Sequence, residues 1–354
     1  MSMYEIIEET QTATEKTQSG AGNVDTIVLL VDDFQNFGKK SYDINILGAS
    51  MFNWVVRSAP SAAVLVNYNE DDDLLQTIRP VLKNAEYTLV LFSDTPLITK
   101  AGVKEIIDYA VQKDLPVCKF ERAYMFKTEY LKNAQAVYAM STHDVQAKEL
   151  VKIDSIDKLV FAQKVLSERI AKYHLSNGVV LTNPQNTYID CTVSIDAGAV
   201  IEPFVKLEGT TTIGANSKIC SNSVIIDSKI DEHVIVKNSC NIVSSAVNDN
   251  AIIGNNCVIM NKSVVGEESI ISAGANITNS TTNKDCKIGE MALLINTKLA
   301  TNVTICAAVK CIGSDISDVK VGSGATIGEG SAILAGAYIK QDVSVPAFTN
   351  IKGN

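Results

Sequence analysis

The sequence predicts an α/β domain followed by an all-β parallel β-helix, with one long helix between them. Two coupled rules predict the second part. An aliphatic residue recurs every six positions: Ile189, Ile195, Ile201, Leu207, Ile213, Ile219 and Ile225. After a step of five the series runs on through Ile230, Val236 and Ile242, then Val247 to Ile277, and closes with Val321, Ile327, Ile333, Ile339 and Val345. Two residues before each aliphatic stands a small or β-branched one, such as Thr187, Val193, Ala199, Ser217, Ser223, Cys240, Cys257, Cys286 or Ala325. A period of six is neither helical nor a simple alternation, and it marks a hexapeptide-repeat solenoid. Three hexads form one triangular coil, so the stretch predicts roughly nine coils, the aliphatics filling the axis and the small residues fitting beside the corners. The five-residue steps read as shortened sides or corners. The third observation is an alternation of apolar strands and amphipathic helices in the first half, which predicts a short doubly wound α/β fold.

The elements follow in order. Residues 1–24 are polar and read as a mobile lead segment. Over residues 25–153, continuous apolar runs at Thr26–Val31, Ala62–Val66 and Thr88–Phe92 predict buried parallel strands. Helical patterns lie at Ser50–Arg57, Leu74–Lys83 and Lys100–Gln112, the last with Val103, Ile106, Ile107 and Ala110 on one face. Glu70–Asp73 is an acidic run read as a solvated helix cap. Residues 154–178 predict the connecting helix, capped by Asp154 or Ser155, with Ile156, Leu159, Val160, Gln163, Leu166 and Ile170 on one side, and ended by Asn177-Gly178. Residues 179–354 are the β-helix.

The chain of 354 residues carries a net charge of −9, which argues against nucleic acid and anionic membranes as partners. No apolar run reaches membrane-spanning length and the first residues lack a signal-peptide pattern, so the expected location is cytoplasmic. The eight cysteines form no CxxC pair, and several occupy the small slots of the repeat, where they read as buried reduced thiols.

Asp94 directly follows the third strand, at the carboxyl end where open α/β sheets bind ligands. A carboxylate there either holds Mg²⁺ with phosphate oxygens or serves as a turn or cap residue.

Several segments carry a resemblance to one family. Ser93-Asp94-Thr95-Pro96-Leu97 is similar to G-D-x-P-L, Ile46–Met51 to L-x-G-K-P-M, and Asn183–Asp190 to D-P-x-x-T-Y-I-D at a domain junction. Ile201-Glu202-Pro203, Leu207-Glu208-Gly209 and Lys237-Asn238-Ser239 also match at matching spacing. Together these resemble the bifunctional bacterial UDP-N-acetylglucosamine pyrophosphorylase/glucosamine-1-phosphate N-acetyltransferase family over about residues 25–350. The resemblance implies a nucleotidyltransferase-like α/β domain, a left-handed β-helix and a homotrimer. It implies metal positions at Asp94 and Asp154, the latter standing where the family has a magnesium-binding asparagine.

The chain departs from the family where chemistry happens. In place of the Gly-rich loop G-x-G-T-R-M…P-K it has Asp32–Lys40, with one glycine and no arginine. Only Lys39 or Lys40 is left there to meet a phosphate, the alternative being a solvated loop. The α/β domain is shortened after Phe120. Asn302–Val309 resembles N-V-x-I-G-A-G-T, but residues 312–318 replace the segments that supply the aromatic contact and the general-base histidine. His143, His174 and His233 all lie elsewhere, and His233 reads as an exposed side residue of the β-helix. The expectation is therefore a binder of a nucleotide sugar or sugar phosphate with impaired or lost catalysis and a regulatory or binding role. The alternatives are an active Mg²⁺-dependent nucleotidyltransferase, a hexapeptide acetyltransferase using acetyl-CoA (the less favoured cofactor), or a structural trimeric scaffold.

Overall fold

The structure is a computed structural model that describes residues 23–32, 40–137, 141–142, 149–314 and 318–353. It contains two compact units that divide within one helix, between Leu166 and Ser167.

The first unit is a six-stranded sheet. Its strands are β1 (Val24–Val31), β2 (Val64–Tyr68), β3 (Tyr87–Phe92), β4 (Val117–Phe120), β5 (Ala123–Lys127) and β6 (Ser141–Thr142). The order is β2-β1-β3-β5-β4-β6. β1 pairs in parallel with β2 and β3, whereas β5 runs antiparallel to β3 and β4. Among the described residues the unit's helices are α1 (Met51–Val56), α2 (Leu74–Ile78), α3 (Lys100–Lys113) and α4 (Thr128–Asn133), and α5 (Ile156–Ser176) is the helix within which the two units divide. Successive strand residues face opposite sides of a sheet. Val28, Leu89 and Leu91 accordingly pack with Val55 of α1 and Val103 and Ile106 of α3. Ile27, Leu29, Val31, Val90 and Phe92 pack with Leu75 and Ile78 of α2 and Leu131 of α4. This is the expected α/β architecture with helices on both faces.

Three details differ from the sequence expectation. β2 is an edge strand, with Leu65 45% exposed, since among the described residues no strand pairs with its outer side. α2 stops at Ile78 and gives way to a 3₁₀ turn at Arg79–Val81, where Pro80 has no N–H to continue the helix. The hairpin β4–β5 makes the sheet mixed; Glu121-Arg122, a pair without turn character, joins its strands and left it unseen. α3 matches its predicted face, with Thr99 Oγ1 accepting from Gly102 N at its start and Asp114 in the left-handed region at its end.

α5 was expected to bury Ile156, Val160 and Gln163. Instead Ile156 and Val160 are 50% and 59% exposed and Gln163 is exposed, while the buried line is Ala162, Leu166, Ile170 and His174, spaced by four. Repeats of four keep one face of a helix.

The second unit is the parallel β-helix, built of three sheets with ten, nine and ten strands. The hexad aliphatics stack in register. One column runs Ile189, Leu207, Ile225, Ile242, Ile259, Ile277 and Leu294. Two gaps in the series are filled by Thr282, between Val265 and Leu299, and by Cys311, between Leu294 and Ile333. All are buried, and each aliphatic contributes about 1.5–3 kcal/mol.

The five-residue steps are corners, and they share one edge of the prism. Each has a single left-handed residue: Asp227 (φ 47°), Ser244 (φ 47°), Asn279 (φ 44°) and Asn296 (φ 47°). The small slots do more than make room. Ser228, Ser245, Ser263 and Ser280 form a buried ladder in which each hydroxyl accepts the backbone N–H of the next slot one coil on, ending at Thr297 N. The thiols of Cys240, Cys257 and Cys286 act similarly, donating to the carbonyls of Gly254, Ser272 and Ala300.

Candidate functional site

The chain leaves β1 to one side for β2 and returns to the other for β3, so the strand order reverses between β1 and β3. In open α/β sheets the crevice beyond the carboxyl ends at such a point is the ligand site. Five segments supply its polar residues: the ends of β1, β2 and β3, the β4–β5 turn, and Lys152–Asp154 ahead of α5.

Ser93 fastens the two central strands, its hydroxyl accepting Val31 N at 2.9 Å. Asp94 follows and is 2% exposed. Arg122 Nε donates to both Asp94 oxygens at 3.2 and 3.1 Å, and Nη2 donates to Oδ2 at 2.6 Å. The guanidinium lies over the Phe92 ring, 4.3 Å from its centroid, which fixes its plane. The same Nη2 stands 2.9 Å from Glu70 Oε1, and Lys152 Nζ stands 2.6 Å from that oxygen. Burial opposes the Arg122 charge, but Asp94 and Glu70 more than offset it and hold the pKa above the usual guanidinium value. Lys152, then Arg122, holds the Glu70 carboxyl below its ordinary value, partly opposed by burial.

The expected site residues are distributed as follows. Ile153 N donates to Asp94 O at 2.8 Å, which brings the backbone beside Asp154 to the end of β3. The Asp154 side chain, however, pairs with Lys158 one helical turn on, at 2.8 Å, and Lys158 lowers its pKa. Lys40 pairs with Asp32 at 2.6 Å, and Asp32 also accepts from Ser41 N. Lys39 and His143 lie outside the described residues. His233 is exposed at a corner with φ 57°. His174 is buried in α5. No histidine occurs in the chain after His233, so coils 288–353 offer no imidazole base.

Sequence reading missed Arg122 and Glu70. Arg122 gave no signal because its partner lies 28 residues away. Glu70 was grouped with the acidic run as a cap, yet the cap of α2 is Asp73, which accepts from Leu75 N and Gln76 N.

The resemblance implies magnesium at Asp94 and Asp154. Magnesium demands oxygen ligands in near-octahedral array at about 2.0–2.1 Å. Both Asp94 oxygens are engaged by a guanidinium and Asp154 faces Lys158, so the arrangement described here does not fit that ion. Among the described residues no cluster of three or more His, Cys, Asp or Glu could hold a metal.

The chain is 43% identical over 109 residues to the bifunctional protein GlmU of Listeria innocua, covering 31% of this chain and 24% of that protein. It is 39% identical over 116 residues to that of Streptococcus equi subsp. zooepidemicus, covering 31% and 25%. It is 49% identical over 81 residues to that of Listeria welshimeri, covering 23% and 18%. The chain is a partial relative of the GlmU family. The first of these matches spans about a quarter of the GlmU length (24%). No protein-family model matches the chain. Among solved structures it is similar to LpxA from Acinetobacter baumannii, at 20% identity and a TM-score of 0.29 over 49% of this chain and 71% of that one. The Francisella novicida UDP-N-acetylglucosamine acyltransferase is 19% identical with a TM-score of 0.24, over 48% and 66%. Among the described residues no helix is long and apolar enough to cross a membrane.

Proposed function

We propose that this GlmU relative is a cytoplasmic sugar-nucleotide-binding protein with impaired or lost catalysis, kept for a binding or regulatory role. The observation that carries the reading is the Asp94 carboxylate, which the resemblance assigns to magnesium and which here is taken by Arg122 through both oxygens. Nucleotidyl transfer places a metal between phosphate groups to neutralise developing charge. A carboxylate already neutralised by a buried guanidinium has little left to offer such an ion. Likewise, a β-helix with no histidine in its later coils lacks the ordinary base for acetyl transfer. All eight cysteines are free thiols, which suits a reducing compartment.

Calorimetric titration with UDP-N-acetylglucosamine, with and without Mg²⁺, tests the binding half. Saturable heat is expected. Pyrophosphate release from UTP and N-acetylglucosamine 1-phosphate tests the other half, and turnover at enzyme-like rates would sink it. The second reading is a trimeric scaffold. It is favoured by outward columns of aliphatics on the β-helix, such as Ile235, Ile252 and Ile270, which pair in register across three coils.

A further inference from the structure

We infer that Arg122 is a built-in counter-cation for Asp94, so that the crevice at the ends of β1 and β3 is independent of divalent metal, and that removing Arg122 would create a metal site between Asp94 and Glu70. The inference rests on the reading of Asp94 given above.

A carboxylate 2% exposed cannot stay charged without a partner, because desolvation costs several kcal/mol. Arg122 answers this with a fork that fits a carboxylate and with a face that fits Phe92. Its Nη2 contacts Asp94 Oδ2 at 2.6 Å and Glu70 Oε1 at 2.9 Å, so two carboxylates converge on one nitrogen. Lys152 supplies the second positive charge at Glu70. Among these four side chains the two carboxylates and two cations cancel, and a dication placed between Asp94 and Glu70 would meet two like charges. Without Arg122, the remaining Asp94, Glu70 and Lys152 sum to −1, with two carboxylates facing the vacated point. Hard divalent cations take carboxylate oxygens in that arrangement.

The amino end of the helix after β3 is likewise occupied by a side chain of the protein itself. The amino end of α3, which follows β3, holds the Glu149 carboxylate: Thr99 Oγ1 donates to its oxygens at 3.1 and 3.0 Å. A helix amino terminus of that kind otherwise favours phosphate.

Mn²⁺ alone is the probe, read by electron paramagnetic resonance and by thermal melting in EDTA against excess Mn²⁺. The wild type should retain no Mn²⁺ above a buffer blank and should melt at one temperature in both media. Arg122→Ala should melt lower in EDTA, retain Mn²⁺, and recover part of the lost melting temperature with it. Adding Asp94→Asn to that variant should abolish both effects. Mn²⁺ held by the wild type and lost in Asp94→Asn alone would overturn the inference, as would Arg122→Ala that ignores the metal. If Arg122→Ala does not fold, Asp94→Asn decides. It should melt below the wild type by the same margin in EDTA and in Mn²⁺, and a margin seen only in Mn²⁺ would overturn the idea. None of these readouts involves a nucleotide sugar, so a silent calorimeter and a bound metal are separate failures.

Discussion

At the scale of single residues, burial decides which charges survive. Asp94 keeps its charge because Arg122 travels into the sheet with it. His174 has no such partner: it is 1% exposed and neither ring nitrogen has a hydrogen-bond partner among the described residues. Burial pushes its pKa down from 6.5 to about 4. For a base with a depressed folded pKa, the unfolded chain takes up the proton first. Stability from the neutral ring is therefore complete above about pH 6.5 and is lost as pH falls toward 4, by roughly 3 kcal/mol over the window. The melting temperature of wild type relative to His174→Leu should fall as pH drops from 7.5 to 4, because only the wild type bears this term. Parallel curves would mean that the ring is hydrated or paired in solution.

At the scale of elements, the hexad rule describes volume and the hydroxyl ladder describes polarity. Ser263 Oγ accepts Ser280 N at 3.2 Å in the interior and donates to Met260 O at 2.6 Å. Ser263→Ala leaves a buried N–H without its acceptor, which costs about 1–3 kcal/mol. Ser263→Cys should lose less, since Cys240 and Cys257 already occupy such slots and donate to carbonyls of the next coil. Urea titration of the two variants should place the alanine midpoint below the cysteine one; equal midpoints would reduce the ladder to a packing effect. The shared edge of the short corners has the same origin. Dropping one residue leaves one left-handed position, and Asp or Asn, which fill three of the four, tolerate it better than most residues.

At the scale of the whole molecule, the β-helix exposes apolar columns that its own interior does not need. Ile235 and Ile270 are 38% and 42% exposed, with Ile252 between them in register. Burying such a column between copies would stabilise an oligomer at roughly 25 cal/mol per Å² of apolar surface. Light scattering is expected to give a trimer, and Ile252→Glu to shift it toward smaller species. A wild-type monomer would end the scaffold reading.

Sequence by itself determined the β-helix, because its code is local. A buried aliphatic every six residues and a small one two places earlier are properties of short strings, and the columns from Ile189 to Val345 follow from repeating them. It also determined the strands β1 and β3 and the face of α3, whose apolar patterns match a buried strand and an amphipathic helix. Only the tertiary structure decided the rest. The exposed flank of α5 depends on what packs against it rather than on its own period. Thr282 and Cys311 enter the aliphatic columns because backbone pairing, not hydrophobicity, sets their register. The crevice was least legible of all. Asp94 could be singled out from the strand before it, but its chemistry belongs to Arg122, Glu70 and Lys152, which converge from 24 to 58 residues away along the chain. Electrostatic partners act through space over a few ångströms, and no spacing along the chain records that distance.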